Sequence, residues 1–458
     1  MSEFFVEIKS LLALAVPVSL AQLALVGMTA TDVLVAGNAS TADLAGMNLG
    51  ANTWNMVALF FMGIGFATQP LIAKRFGAND EVGIKHQLHQ SMWMCLVLGV
   101  IAMLCVGLIA WVIGFIDYQA DMLAIAQGYL FAISLCAIPL VLIPAVRGVL
   151  EGMSQTRVVL WINFAAFLLN IPLDYILVNG LYGMPKLGGV GCAWATVILI
   201  WGMFLVTLLV LVWHKKVRDL RLLHDLQKPH RETIGKTFKL GFPIGLSIVI
   251  ELSMFCGAGM LIAVFGATQA SAHAVAITIA SMSYMLYMGL GQGVTIRASQ
   301  LLGAGKSAAA WYTIKAGISF NVFLSVCLCV LFVIFNNTLV SFFTQDSEVV
   351  QLAVVLLYFG AAFQIADSLQ VAVVSALRAY HDTASPPKYQ FFSFWVIGLP
   401  LGVGLAFYDW WPGLEEAKGL WFGMVASLFL VGVLLLRRLL ARVHGETENH
   451  KPKQVIQS

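Results

Sequence analysis

Long apolar runs separated by short polar stretches make up most of the chain. About 20 apolar residues are enough for a helix to cross a bilayer, and on this measure the pattern predicts twelve membrane-spanning helices. The runs are continuous and do not alternate with polar residues, which favours helices over the strands of a barrel. The predicted spans are 11–37, 47–72, 91–116, 122–148, 158–179, 189–213, 236–264, 271–296, 310–337, 348–376, 388–408 and 418–441.

The composition supports this reading. Of the 458 residues, 60% are hydrophobic and 11% are charged, whereas about 25% of a typical soluble domain is charged. A large soluble enzyme is therefore excluded, and the class is a polytopic membrane protein. All seven cysteines lie inside apolar runs, so we interpret them as small core residues without a disulfide or metal role.

Basic residues fall almost entirely on one side of the predicted spans. Of the 26 Lys and Arg residues, all except Lys186 and Lys418 lie in the tails, in the loops after even-numbered spans, or at adjoining span ends. The positive-inside rule then places both termini in the cytoplasm. A basic stretch, His214–Lys236, follows span 6, and we interpret it as a cytoplasmic anchor near anionic lipid, with no nucleic-acid partner.

The two halves of the chain resemble each other at a fixed offset of 226 residues. Pro17 returns as Pro243, the glycines of MGIG return in MGLG, and Gly77-Ala78 returns as Gly303-Ala304. Six spans separate the copies, so both start on the same side and form parallel repeats. We predict six-helix bundles at 1–213 and 236–441 around a central cleft, a linker at 214–235 and a cytoplasmic tail at 442–458.

Four carboxylates lie well inside predicted spans, where an ionised group costs at least about 2.5–3.5 kcal/mol. Asn170 precedes one of them by four residues, so both polar groups share one helical face. These acidic residues are Asp32 in span 1, Asp174 in span 5, Glu251 in span 7 and Asp367 in span 10.

Buried carboxylates at these positions are suited to binding transported cations. Na⁺ takes oxygen ligands, and a buried carboxyl group can also load and release protons near neutral pH. The same charges attract cationic organic molecules, which predicts exchange of one cation for another. Each carboxylate can instead be a packing partner of another helix, but the cost of burial disfavours this role for all four.

Polar side chains in spans 2 and 8 form a second pattern. Three asparagines of span 2 share one face, and the repeat offset pairs two of them with hydroxyl residues of span 8, which also carries Met and Tyr residues suited to flat cations. Interhelical hydrogen bonding is an equal alternative. The candidates for lining the cleft are Asn48, Asn52, Asn55, Thr278, Ser281, Met282, Tyr287 and Phe363.

Together these residues resemble the multidrug and toxic compound extrusion (MATE) transporters, in particular the bacterial NorM-type branch. The resemblance is carried by PVSLAQL and TDVLVAG in span 1, by QPLIAKRFGAND after span 2, and by the acidic residues of spans 7 and 10. It covers Leu11 to Arg442. No single motif is specific, but their joint placement is.

The resemblance implies Na⁺- or H⁺-driven export of cationic, often aromatic compounds across a bacterial inner membrane. Asp32 matches the family's span 1 Asp, and Asn170 and Asp174 match the span 5 pair that completes a first-half cation site. Glu251 and Asp367 match the NorM-type second-half site.

One position departs from the family pattern. Some NorM-type members have Tyr one turn before the span 10 Asp, where this chain has Phe363. The change removes a hydroxyl ligand from the second-half site, which leaves its affinity and ion identity open.

Other classes of function fit the sequence less well. A lipid-linked oligosaccharide flippase shares the two-bundle plan, but it would need a cleft rich in Arg and Lys, and the mid-span charges here are acidic. A membrane enzyme would show acidic or His clusters at a membrane face or a nucleotide motif. The stretch GAGKS has Gln300 where a phosphate-binding loop needs Gly, so no cofactor is expected. The internal repeat and the buried carboxylates favour alternating access over a passive channel. We expect a monomer, because one chain supplies both bundles.

Overall fold

The computed structural model describes residues 2–116, 119–408 and 410–449, and within these ranges the chain consists of helices joined by short turns. A π-helical stretch, Phe392–Gly398, lies between two of the helices. The helices are α1 (Ser2–Ala39), α2 (Thr41–Gly65), α3 (Thr68–Gly77), α4 (Glu81–Val112), α5 (Ala120–Ser134), α6 (Ala137–Gly152), α7 (Thr156–Asn179), α8 (Gly189–Trp213), α9 (Arg231–Ala263), α10 (Ala267–Gly303), α11 (Ser307–Ile334), α12 (Asn336–Ser341), α13 (Ser347–Ala379), α14 (Ser385–Phe391), α15 (Leu399–Tyr408) and α16 (Ala417–Asn449).

The described residues contain eleven helical segments that are long and apolar enough to cross a membrane, and the bent pair α5–α6 brings the number to twelve. Each predicted span falls in one of them, which confirms an all-helical polytopic fold. The helices extend past the predicted ends, most clearly α1 and α10, because a helix continues into polar residues beyond the apolar run. Residues 442–449 of the predicted tail continue α16, and the rest of the tail lies outside the described residues.

Prolines explain where spans are interrupted. α5 and α6 meet at an angle of 43°. Pro139 has no N–H to donate to the carbonyl of Leu135, and the indole of Trp201 donates to that carbonyl instead, at 3.2 Å. Pro400 follows the π-helical stretch. Like Pro139, it has no N–H to donate to the carbonyl four residues earlier.

Side-chain caps fix the start of several helices. Ser40 accepts the N–H of Asp43 at the start of α2, Asp80 accepts the N–H of Gly83 in α4, and Asp346 caps α13. Each cap satisfies an N–H that lacks a partner inside the helix. The spans therefore begin at defined residues and do not fray into the loops.

Contacts divide the chain into two compact units. The first-half unit comprises residues 9–252 and 299–306, and the second-half unit comprises the described residues of 1–8, 253–298 and 307–458. The predicted halves differ from these units, because the contacts assign the linker and most of α9 to the first-half unit. The bundle boundaries read from the repeat stay a prediction.

The repeat is visible in equivalent close contacts, one inside each unit. A Cβ on Gly65 would lie 2.9 Å from Pro144 on α6, and a Cβ on Gly291 would lie 2.3 Å from Ser375 and 3.4 Å from Val371 on α13. Both glycines stand where two helices approach too closely for a side chain. The sequence repeat therefore corresponds to a repeated mode of packing.

The linker between the halves is bound to the first turns of α4. Gln90 donates to the carbonyl of Lys228 at 3.1 Å and accepts the N–H of His230 at 2.6 Å. The buried His89 donates through Nε2 to the carbonyl of Leu222 and accepts the N–H of Gln227 at Nδ1. Side chains of α4 thus satisfy linker backbone groups over several residues.

Candidate functional site

Helices α1, α7 and α8 bring acidic and polar side chains together inside the first-half unit. The amide Nδ2 of Asn170 donates to Oδ1 of Asp32 at 3.1 Å. One carboxylate oxygen each of Asp32 and Asp174 and the Sγ of Cys192 all lie within 4.8 Å of one another. The structure therefore assembles the three first-half residues named from the sequence and adds a thiol to them.

Local sequence positions each group. Asn170 and Asp174 are one turn apart on α7, so they face the same neighbour, and Pro172 between them removes one backbone N–H. The thiol of Cys192, near the start of α8, lies 3.7 Å from the backbone carbonyl of Asp32. This contact holds α8 against α1 at the level of the carboxylates.

The site is largely shielded and short of positive partners. Asn170, Asp174 and Cys192 are completely buried, while Asp32 is partly exposed. Neither carboxylate oxygen of Asp174, nor Oδ1 of Asn170, meets a hydrogen-bond donor among the described residues. Two carboxylates this close cannot both stay ionised without a cation or a shared proton.

Another buried carboxylate shows what a permanent structural pair looks like in this unit. Glu151 on α6 forms an ion pair with Arg147 and accepts a hydrogen bond from Nε2 of Gln69 at 2.6 Å. Its charge is compensated by protein groups at all times. Asp174 has no such compensation, which argues against a packing role for it.

The second-half unit places Asp367 in an aromatic and amide environment. Asp367 is buried on α13, and one turn earlier Phe363 packs against Phe255 and Trp421, with ring centroids 5.7 and 6.3 Å apart. The neighbouring Gln364 accepts the hydroxyl of Tyr287 at 2.9 Å. Phe363 itself has no hydroxyl, but Tyr287 on α10 places one beside the neighbouring Gln364.

Two amides that the sequence reading missed lie in the same unit. Asn321 on α11, a helix that packs along α13, is 1% exposed, and neither of its amide atoms has a partner among the described residues. Oε1 of Gln370, one turn after Asp367, is likewise unsatisfied. An uncharged residue in an apolar run gives little signal in sequence, whereas an unsatisfied buried amide is conspicuous in the structure.

Glu251 belongs to the first-half unit, on α9, and is partly buried. It carries an interaction of its own and is not a free group. Asp367 belongs to the other unit, so the pairing of Glu251 with Asp367 stays a prediction.

The residues proposed to line a cleft divide into two sets. Tyr287 and Phe363 are buried inside the second-half unit and pack there. On α2 and α10 the other side chains are at least partly exposed, and they are Asn48, Asn52, Asn55, Thr278, Ser281 and Met282. The hydroxyls of Thr278 and Ser281 bond carbonyls of their own helix.

The interpretation of the cysteines needs correction. Cys192 belongs to the acidic cluster, and Cys256 and Cys327 are exposed on their helices, so these three are not simple core residues. A lipid-facing surface is as apolar as a core, so sequence does not separate the two environments. All seven cysteines are free thiols in the structure.

Comparison with known proteins decides the family. A sequence profile of the MatE family matches residues 17–176 and 243–403, so it recognises both halves at the offset of the internal repeat. The chain belongs to the MatE family. Multidrug resistance protein NorM of Aliivibrio fischeri is 33% identical over 434 residues, covering 95% of this chain and 94% of that protein.

Further MatE relatives agree. Multidrug resistance protein PmpM of Pseudomonas aeruginosa is 32% identical over 456 residues, 98% of this chain and 94% of its own length. The crystal structure of the eukaryotic MATE transporter AtDTX14 superimposes with a TM-score of 0.86 at 17% identity, covering 97% of this chain and 99% of that one. The recognition of a NorM-type MATE fold from sequence is confirmed.

Proposed function

We propose that this MatE protein is a multidrug efflux antiporter that exports cationic, often aromatic compounds in exchange for Na⁺ or H⁺ by alternating access. The observation that carries the proposal is the pair Asp32 and Asp174, a partly exposed and a buried carboxylate that lie close together without a Lys or Arg partner among the described residues. The relatives NorM and PmpM are named multidrug resistance proteins, which supports drug export as the function.

The cluster provides a reason for exchange. A cation or proton at Asp32 and Asp174 removes their mutual repulsion, and its departure restores the negative charge that attracts the next cation. The same carboxylates bind the coupling cation and the organic cation. The binding of one therefore lowers the affinity for the other. The partial exposure of Asp32 offers a route by which water and ions reach the buried Asp174.

The exposed polar residues on α2 and α10 suit contact with the organic substrate. An exposed Asn on a membrane-length helix faces lipid or water, and contact with lipid is costly. Asn52 and Asn55 therefore favour a water-filled surface on the first-half unit. In the second-half unit, the exposed Met282 offers an adaptable apolar contact. In this proposal the bacterial inner membrane holds the protein as a monomer with both termini in the cytoplasm.

The decisive experiment is dye transport in proteoliposomes with Na⁺ and pH gradients imposed separately. We expect an ethidium-like cation to move against its gradient when one of the two ion gradients is present, and not without either. Transport of a lipid-linked oligosaccharide pyrophosphate with no response to the dye would favour the flippase alternative and contradict the proposal.

Asp367→Asn tests the contribution of the second-half unit. The change keeps the shape of the side chain and removes its charge, so we expect insertion at the normal level and loss of ion-driven dye exchange. Exchange at the normal rate in this variant would exclude Asp367 from coupling while leaving the first-half cluster to carry it.

A further inference from the structure

The thiol of Cys192 has no part in an exchange of Na⁺ or H⁺, yet the fold places it beside two carboxylates. Its Sγ and one oxygen each of Asp32 and Asp174 lie within 4.8 Å of one another. In the sequence, Cys192 is separated from Asp32 by 160 residues. Sodium takes oxygen ligands, and a proton needs only a carboxylate. A sulfur ligand points to a different kind of cation.

The charge of the site also exceeds what one monovalent ion balances. A single Na⁺ or H⁺ neutralises either Asp32 or Asp174 and leaves the other to be protonated separately. A divalent cation neutralises both at once, which matters where solvent screens charge poorly. Both oxygens of Asp174 are buried without a hydrogen-bond donor. So is Oδ1 of Asn170, whose amide nitrogen contacts Asp32.

The donor set matches the requirements of a borderline-soft divalent ion. Two carboxylates, one thiolate and one amide oxygen give four ligands, the usual number for Zn²⁺. Metal–ligand lengths of about 2.0–2.3 Å place the donor atoms of a tetrahedral site about 3.5 Å apart. The donor atoms here lie within 4.8 Å of one another, so the side chains need to close by no more than about 1.3 Å. Mg²⁺ and Ca²⁺ require six or more oxygen ligands and no sulfur.

We propose that Asp32, Asp174 and Cys192, with Oδ1 of Asn170, bind one Zn²⁺ or Cd²⁺ ion that competes with the coupling cation and arrests transport. On binding, the thiol loses its proton as sulfur bonds to the metal, and the carboxyl pair loses the proton that it shares in the metal-free site. Both protons go to water. The arrest rests on the proposed antiport function, whereas the binding of the ion does not.

Cadmium binding to the purified full-length protein tests the site directly. Thiolate coordination gives Cd²⁺ an ultraviolet charge-transfer absorption, and titration calorimetry gives the affinity. The experiment uses a background in which the exposed Cys256 and Cys327 are changed to Ser, since these thiols bind Cd²⁺ by themselves. We expect one tightly bound ion per protein.

Two variants in this background separate the site from nonspecific binding. Cys192→Ser is expected to abolish the charge-transfer absorption and to weaken Cd²⁺ binding at least tenfold. Cys95→Ser removes another buried thiol of the same unit, which is not part of the cluster, and is expected to leave both unchanged. Equal absorption and affinity in the Cys192→Ser variant would overturn the proposal.

Transport measurements complete the test. Cd²⁺ is expected to lower the rate of dye transport strongly in the background protein. In Cys192→Ser, the rates with and without Cd²⁺ are expected to be nearly equal. If Cd²⁺ binds through Cys192 and dye transport continues at its usual rate, the arrest is wrong. If no dye is transported at all, the proposed function fails, and the absorption and calorimetry still decide the metal site.

Discussion

Asn163 and Asn321 are both buried asparagines in apolar helices, and their surroundings differ. Asn163 on α7 donates to the carbonyl of Ala21 at 3.2 Å. Asn321 on α11 has no partner for either amide atom among the described residues. An unsatisfied buried amide costs stability unless it serves a bound ion, water or substrate. At the scale of a single residue, this contrast separates a structural amide from a functional one.

Leucine has nearly the shape of asparagine, so it tests this contrast in both helices. Asn163→Leu is expected to lower the free energy of unfolding by about 1–3 kcal/mol, because a bonded carbonyl loses its donor. Asn321→Leu is expected to leave thermal stability unchanged or higher and to reduce dye transport at least tenfold. Normal transport together with lower stability in Asn321→Leu would assign this amide to packing.

Asp32→Asn tests the first-half cluster in cells. The variant removes one of two close charges and keeps the side-chain volume. The amide of Asn170 then contacts an amide at position 32 instead of a carboxylate. We expect loss of resistance to a cationic dye at normal expression, because the remaining carboxylate has no neighbouring charge to make cation exchange favourable. Unchanged resistance would place Asp32 among the packing residues.

At the scale of elements, the linker is an ordered part of the first-half unit. Its backbone groups are bonded to side chains from the start of α4, including both ends of the Gln90 amide and both ring nitrogens of His89. The indole of Trp93 adds a bond to the carbonyl of Gln227 at 3.0 Å. A stretch that reads as a basic, flexible connection in sequence is held at fixed positions.

Removing one of these side chains should release the linker. Gln90→Ala leaves the carbonyl of Lys228 and the N–H of His230 without their protein partner, at a cost of about 1–3 kcal/mol. We expect faster tryptic cleavage at Arg221 and Arg231 under native conditions. The matched control is Gln127→Ala, which removes a single bond to Ala110 at the other end of α4 and is expected to leave linker cleavage unchanged.

At the scale of the whole molecule, parallel repeats require that equivalent loops lie on the same side of the membrane. The family match begins at residues 17 and 243, 226 positions apart, and six predicted spans separate these points. The distribution of Lys and Arg then predicts the orientation. The sequence therefore predicts two repeats that enter the membrane in the same direction.

Reporter fusions test this orientation. Alkaline phosphatase, which is active only outside the cytoplasm, is expected to be active when fused after Gly183, in the loop following α7, and inactive when fused after Gln227 in the linker. Green fluorescent protein fused at the same two positions is expected to give the opposite pattern. Phosphatase activity at Gln227 would reverse the predicted topology.

The sequence by itself determined the number of spans, the internal repeat, the family and three residues that the structure brings together, namely Asp32, Asn170 and Asp174. These features follow from local physical requirements. A span needs a fixed length of apolar residues, and a carboxylate inside such a run is costly enough to stand out wherever it occurs, as Asp32 and Asp367 do.

Only the tertiary structure decided which buried polar groups are satisfied. Cys192 and Asn321 look like ordinary residues of apolar helices in the sequence, and Asn163 cannot be told from Asn321 there. What separates them is the presence or absence of partners from helices far away along the chain. Hydrogen bonding and charge neutralisation depend on such contacts, and a pattern of hydrophobic and polar positions does not record them.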